Sequence, residues 1–361
     1  MLVIQINYIK FISIIRIHYI LVSKLMLILA IETSCDETSV AILQNGKLLS
    51  NIVFSQEKMH AKYGGIVPEV AARKHIETII PTIDKALTKA KTKLNKIDYI
   101  AVTSGPGLIT SLMVGIDTAK SLSFALKKHI IPIHHTESHI YSNFIGNKNI
   151  KFPALALVVS GGHTDLILMK DHGKYKEIGS TRDDAAGEAF DKVAKLLNIG
   201  YPGGPIISKK ADLGNSRAYY FPRPMIDSND FDFSFSGLKT DILRLSQKKK
   251  NNFTPQEINN VCASFQAAVV DVLVHKTIKA AKKLGVKSIL LAGGVSANKL
   301  LRHKLKTTIK KELKNTDFHS PNLKYCTDNA AMVAIAAYYH ALRKDYTTWD
   351  KVKVDPNLKL N

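Results

Sequence analysis

Cysteine is scarce in this chain of 361 residues: Cys35, Cys262 and Cys326 are the only three, they lie far apart, and none forms a C-x-x-C pair. An odd number at such spacing supports no disulfide framework and fits a reducing cytosol. Acid is scarce too, with 30 Asp and Glu against 51 Lys and Arg and a formal charge of +21. That balance points to an acidic partner such as nucleic acid. The excess is nearly all lysine, however, in a chain also rich in isoleucine and asparagine, which an AT-rich coding sequence produces without any binding function. Its placement favours a partner: between Lys276 and Lys314, Glu312 is the only acid, and a one-signed stretch of that length reads as a ligand-facing surface.

Long uninterrupted apolar runs are missing at the start of the chain. Residues 1–25 are apolar and basic, but Lys10, Arg16 and Lys24 break every run short of the roughly 20 residues a membrane span needs. A transit peptide is the alternative reading, against which arginine and serine are scarce there and no small-residue cleavage site follows. The segment is expected to be an extension upstream of a working start at Met26, outside the fold, and no membrane partner is expected. Also missing are G-x-x-x-x-G-K-[ST] and G-x-G-x-x-G, which disfavours P-loop and dinucleotide-binding readings. What remains, 45% hydrophobic and 22% charged residues, excludes disordered and collagen-like classes and leaves room for two domains.

From Met26 the chain reads LILAIETSCDETSVAIL, two apolar runs around a polar tip, which predicts a β-hairpin. ALALVVSGGHTDLILM at 154–169 repeats residues 28–43 at a constant offset of 126, with Ser160 on Ser34 and Thr164 on Thr38. Two related halves follow from this, each opening with a hairpin whose tip faces a shared cleft. YIAVTSGPGLITSLMVG and SILLAGGVSANKLLRHKL each read as strand, glycine turn and helix, the α/β unit. The polar segment IGNKNIKF at 145–152 is the boundary, so the expected division is a first lobe at 26–150, a second at 151–345, and a frayed tail at 346–361.

The stretch HHTESH at 134–139 looks like the zinc motif H-E-x-x-H of a protease but places the glutamate one position too late. His135 and His139 remain at i and i+4, neighbours on one helix face and suited to a single divalent ion. Glu137 points elsewhere, so a third ligand must come from another part of the chain. Gly105-Pro106-Gly107, Gly161-Gly162, Gly203-Gly204 and Gly293-Gly294 are four glycine turns that suit phosphate or nucleotide contact through backbone N–H groups. Acids at loop ends add Asp36, Asp183, Asp184, Glu188, Asp191 and Asp328. For Asp328 the plain alternative is helix capping, and for Asp184 and Glu188 a solvated helix face. Asp191 precedes the Tyr201-Pro202-Gly203-Gly204 turn, where a carboxylate can accept from ligand hydroxyls or an amine.

ETSCDETSVAIL, HAKYGGIVPEVAARKH, TSGPGLITSLMVGIDTAKSL, HHTESH, LVVSGGHT, DDAAGEAFDKVAKLLNIGYPGGP, DFSFSGLKTD, LAGGVSANKLLR and YCTDNAAMVA together resemble the TsaD/Gcp family, the tRNA threonylcarbamoyladenosine transferases. The likeness runs from Met26 to about Arg343, with Ser138 where the family usually has glycine. It implies an α/β, two-lobed fold shared with actin, hexokinases and heat-shock ATPases. It also implies one divalent metal on His135, His139 and Asp328, Fe(2+) first and Zn(2+) as the alternative, since two histidines and a carboxylate suit either. By the same resemblance Val158, Val159, Ser160, Gly161, Gly162, Asp191, Gly204 and Asn298 line a threonylcarbamoyl-AMP pocket. The adenosine N(6) amine immediately 3′ of the anticodon, in tRNAs reading ANN codons, attacks that mixed anhydride and expels AMP. TsaB-like and TsaE-like partner proteins and a cytoplasmic setting are implied as well. No residue is assigned as the proton acceptor. The rival expectations are a metallopeptidase, a kinase or ATPase of the same fold, and a non-catalytic RNA-binding module.

Overall fold

The computed structural model describes residues 26–147, 149–250 and 252–360; the expected leader at 1–25 lies outside the described residues. Strand β1 (Leu27–Glu32) is buried at all six positions, as an unbroken apolar strand must be when helices cover both faces of its sheet. It pairs antiparallel with β2 (Glu37–Gln44). Through the turn Asn45-Gly46, with φ of 47° and 78°, β2 leads to β3 (Lys47–Ser55), the tight hairpin that Asn-Gly favours. β4 (Tyr99–Gly105) and β5 (His129–His134) then add in parallel on the other side of β1. The order is β3-β2-β1-β4-β5.

The second half repeats this plan. β6 (Ala154–Val159), β7 (Thr164–Asp171) and β8 (Lys174–Ser180) are antiparallel, and β9 (Ser288–Ala292) and β10 (Asp317–His319) extend the sheet in parallel from β6. The offset of 126 seen in the sequence holds in the pairing register: Ile28 pairs with Leu43 and Ala154 with Met169, Glu32 with Ser39 and Val158 with Asp165. The expected α/β fold of two halves led by matching hairpins is therefore the fold observed.

Alternation along the two leading strands sorts side chains into three cores. Leu27, Leu29 and Ile31 pack outward with α1 (Pro68–Ala90) and α2 (Ile109–Leu126). Leu155, Leu157 and Val159 pack outward in the second half with α4 (Ala186–Leu196), α5 (Gly203–Ala211), α6 (Ser236–Lys248), α7 (Pro255–Leu284) and α8 (Lys299–Glu312). The inward residues, among them Ile28, Ala30, Ala154 and Ala156, share one central core with α3 (His135–Tyr141) and α9 (Ala330–Leu342). Small side chains on both sheets and on α9, whose first eight residues are AAMVAIAA, let these layers approach closely. Although it comes from the second half of the chain, α9 packs on β1 and β2 of the first sheet and on α3.

Helix α7 starts at a reciprocal cap between Thr254 and Glu257 and ends at Gly285, φ 60°. Among the described residues it is the one helix long and apolar enough to cross a membrane. Its apolar residues from Val261 to Ala281 are instead spent in the outer core of the second half.

The expectation of a frayed tail at 346–361 is corrected. Thr347 bridges Ile130, Trp349 meets Phe124 edge-on at 5.3 Å between centroids, and Val352 is 2% exposed in the first sheet's outer core. Further on, the Asp355 N–H donates to the Ser104 carbonyl and the Gly107 N–H to the Pro356 carbonyl. The approach is so close that a Cβ on Gly105 would fall on the Asp355 carbonyl oxygen. Val352 and Val354 are too few to register as a periodic pattern, yet an extended strap needs no more. Ending the chain at Asp345 is expected to lower stability by about 2–4 kcal/mol, from one buried valine, its neighbours and several backbone bonds, measured as a lower urea midpoint.

Candidate metal centre and ligand cleft

β5 delivers the chain to α3 through His134, whose Nδ1 accepts from the Thr136 N–H at 3.1 Å while Nε2 donates to the Leu358 carbonyl at 3.0 Å. Burial pushes this imidazole down to about 4, so it stays neutral and can play both parts. One turn of helix then puts the rings of His135 and His139 on one face, 4.7 Å apart between centroids. Asp328 meets them from just before α9: its Oδ1 lies 3.7 Å from His135 Nε2 and 3.1 Å from His139 Nε2. One donor atom from each residue lies within 4.8 Å of the others.

Asp328 is available because it does not cap the helix. Asn329 takes that position, its Oδ1 accepting from the Ala331 and Met332 N–H groups. The capping alternative for Asp328 is thereby removed. The chemistry of the donors fits a metal. His139 is buried, neither ring nitrogen has a hydrogen-bond partner, and yet Nε2 sits 3.1 Å from a carboxylate oxygen. Leaving such groups unsatisfied costs on the order of 1–3 kcal/mol each, and a cation between the donors would satisfy them together.

Behind the triad, Ser34 Oγ lies 3.0 Å and Glu32 Oε2 3.4 Å from His135 Nδ1. These partners orient the ring so that Nε2 faces Asp328, as carboxylate and hydroxyl groups commonly do for metal-binding histidines. Glu32 is itself fixed by the Ser34 N–H and the Thr103 hydroxyl, both at 2.7 Å. Burial disfavours a charged His135 ring, but Asp328 and Glu32 outweigh it and hold its pKa up at about 9. For Asp328 burial works upward, and His135 and His139 overcome it to hold the carboxyl well below its usual range. Glu137, as expected, points away from the triad. Its carboxylate accepts from Tyr175 OH at 2.7 Å and meets His340 Nε2 at 3.0 Å.

The triad opens on a cleft of about 800 Å³ to which all four glycine turns contribute, through Gly107, Gly161 and Gly162, Gly204, and Gly294. Of the residues anticipated from the sequence, His135, Asp328, Ser160, Gly161, Gly162, Asp191, Gly204 and Asn298 line it. His139 lies deeper, 1% exposed. The Val158 and Val159 side chains do not line the cleft; they are core residues on opposite faces of β6, which carries the Ser160 tip. Asp191 accepts from the Gly203 N–H at 2.7 Å, and its carboxyl is raised by burial. Asn298 caps α8 through the Leu301 N–H and donates to Gln266 at 2.7 Å, leaving one N–H and one lone pair for a ligand. Glu188 borders the cleft, whereas Asp184 is tied to Lys192 and Asp183 to Ser234 and Ser236.

Sequence reasoning missed Glu32, Glu37 and His163, and placed Ser34 at a hairpin tip facing the cleft without its contact to His135. Burial, with Asp328 and Asp36 nearby, pushes the Glu37 carboxyl well above its usual range. Burial also lowers His163 to about 4, helped by His135 and His139, so it presents a neutral imidazole to the cleft. Their signal was polarity inside otherwise apolar hairpins, which reads equally well as turn chemistry.

Two matching lobes around a cleft define the actin and hexokinase type of fold. HypF in its phosphate- and nucleotide-bound form aligns over 90% of this chain and 47% of its own, with a TM-score of 0.59 and 13% identity. Component A of (R)-2-hydroxyglutaryl-CoA dehydratase from Acidaminococcus fermentans aligns over 88% and 99%, with a TM-score of 0.51 and 17% identity. At these identities the likeness is one of fold. The family model for TsaD, tRNA N6-adenosine threonylcarbamoyltransferase, matches residues 47–335. Proteins of that name from Kosmotoga olearia and Staphylococcus saprophyticus are 50% and 51% identical over 325 and 318 residues, covering 90% and 88% of this chain and 96% and 92% of their own. The chain belongs to this family, the transferases that make N6-threonylcarbamoyladenine.

Proposed function

We propose that this chain moves a threonylcarbamoyl group from threonylcarbamoyl-AMP to the N(6) amine of the adenosine 3′ of the anticodon, in tRNAs reading ANN codons. The observation that carries this reading is the convergence of the His135, His139 and Asp328 triad with four glycine turns on one cleft. A C–N bond forms between the amine and the carbamoyl carbon, the anhydride C–O bond breaks, AMP leaves, and the amine loses a proton. His135, His139 and Asp328 would hold the metal, with iron preferred and zinc the alternative. When bound, it supplies Lewis acidity and a template for the carbonyl group. The bare backbone of the Ser160-Gly161-Gly162 tip and the Gly294 turn would cradle the adenylate phosphate, and Asp191 would accept from a ligand hydroxyl.

Part of the lysine-rich stretch serves the fold. Lys276 is fully buried against Ser228 and Asp230, Lys279 bonds the Ser228 carbonyl, and Lys282 and Lys304 pair with Glu312 and Asp271. Arg302 is turned inward onto Ser296 and Pro321. The exposed Lys287, Lys299, Lys306, Lys310, Lys311 and Lys314 remain for tRNA. Affinity for tRNA is expected to fall about tenfold or more from 50 to 200 mM salt, with a shallower slope in Lys310→Glu/Lys311→Glu. A filter-binding series would measure both. Exposed Ile76 and Ile80 on α1, and Ile109 and Met113 on the adjacent α2, offer an apolar face for a TsaB-like partner. A TsaE-like partner and a cytoplasmic setting complete the proposal.

The rival readings gain no support. A peptidase needs a base beside the metal, and Glu137 is held on the far side of α3 by His340 and Tyr175. A kinase needs Mg²⁺, which prefers oxygen donors to imidazole. Cells depleted of this protein should lose threonylcarbamoyladenosine from their tRNA, measured by mass spectrometry of tRNA nucleosides. Unchanged levels would overturn the proposal.

A further inference from the structure

The helix that carries both histidine ligands is gripped on two opposite sides by a single other helix. At 100° per residue, Glu137 projects from the side of α3 opposite the shared face of His135 and His139. It is 3% exposed, although it is a carboxylate. Its Oε1 accepts from the hydroxyl of Tyr175 on β8 at 2.7 Å, and its Oε2 lies 3.0 Å from Nε2 of His340, in the last turn of α9. His340 is held from behind as well, its Nδ1 2.7 Å from an Asp345 oxygen. Asp328, which meets the other face of α3, stands just before the first turn of the same helix.

The spans agree. From Ala330 to His340 a helical rise of about 1.5 Å per residue gives roughly 15 Å, and the extended Asn329 carries the chain further to Asp328, enough to reach across a helix about 10–12 Å wide and its side-chain contacts on each side. α9 therefore holds α3 as a clamp does: its N-terminal end meets the histidine face and its C-terminal end meets Glu137. Rotation of α3 about its own axis would move both contacts at once.

We propose that Glu137, through His340, is a positioning residue that fixes the rotation of α3 and so the presentation of His135 and His139 towards Asp328. This inference rests on the reading of the triad as a metal site. Without the Glu137 contact, α9 would still deliver Asp328, but against a histidine pair steadied from behind only at His135, by Ser34 and Glu32. The cost would appear as weakened metal binding and altered ligand geometry rather than as loss of the fold.

The test is Zn²⁺ affinity by competition with a chromophoric chelator, with the visible spectrum of the Co²⁺-loaded protein as a report on ligand geometry. Glu137→Ala and His340→Ala should each weaken Zn²⁺ binding by about 10–100-fold, the range for loss of groups that orient metal ligands, and shift the Co²⁺ bands. The double variant should be little worse than either single one, because the two side chains act as one contact. Glu137→Gln, which keeps length and hydrogen bonding, should recover affinity to within about threefold. Leu305→Ala, a core truncation in the second half of the chain, serves as a control that lowers stability without touching the clamp. His340→Gln provides the same reading if the alanine variants do not fold. An affinity loss no larger than that of Leu305→Ala, or fully additive losses in the double variant, would overturn the proposal. A wild-type protein that binds no metal at all would instead overturn the metal reading beneath it.

Discussion

Replacing His139 by alanine should cut the metal content of the purified protein from about one per chain to less than about a tenth, and weaken metal affinity by at least about 100-fold. Loss of an orienting group alone costs about 10–100-fold, and His139 supplies one of the three donors found among the described residues. The wild-type protein should gain roughly 4 kcal/mol of stability at a metal concentration 1,000 times its dissociation constant, and the variant almost none. Asp328→Asn should behave similarly, since it keeps the shape and removes the charge that His135 and His139 face. Elemental analysis with thermal shifts, with and without added Zn²⁺ or Fe²⁺, decides the matter. Full metal retention in His139→Ala would mean that the three residues are not the site.

Gly293→Ala, directly behind the wall of the cleft, should be strongly destabilising. Gly293 has φ 85°, a left-handed conformation that L side chains rarely adopt, and its added Cβ would strike the carbonyl oxygen of Val159. At φ 85° and ψ 169° the backbone strain costs about 1–3 kcal/mol and the overpacking about 1–3 kcal/mol more, so a loss of roughly 2–6 kcal/mol is expected in urea unfolding. Position matters as much as magnitude. Val159 ends β6 directly before the Ser160 tip, and Gly293 leads into the turn that carries Asn298. The methyl group would drive apart two walls of the cleft. Transfer activity should fall even where enough folded protein remains. A change below about 0.5 kcal/mol would show that the turn has room to relax.

Much of the architecture was legible because strand alternation and hairpin tips are local patterns. The repeat of residues 28–43 at 154–169 needed only comparison of the chain with itself, and the pairing registers coincide with it. His135 and His139 were legible for the same reason, since i and i+4 positions share a helix face. Asp328 was not derivable from spacing, because it reaches the histidines only when α9 folds back onto the first sheet; the family resemblance supplied it. Glu32 escaped notice because a glutamate at a strand end normally meets water, whereas here Ser34, Thr103 and His135 surround it. Lys276 misled in the opposite direction. Lysine ordinarily marks a surface, and only tertiary structure shows this one enclosed by Ser228 and Asp230. The tail was misread because a few apolar residues in an extended strap leave no period to detect.

The central claim is that the His135, His139 and Asp328 cleft transfers threonylcarbamoyl to tRNA. Its most direct test supplies the purified protein and its TsaB-like and TsaE-like partners with threonylcarbamoyl-AMP and a tRNA reading ANN codons, then measures modified nucleoside by mass spectrometry. The account predicts threonylcarbamoyladenosine with AMP released in equal amount, and loss of both in His139→Ala. Adenylate left intact beside unmodified tRNA, with ATP-dependent phosphorylation of a free sugar by the same protein, would contradict it.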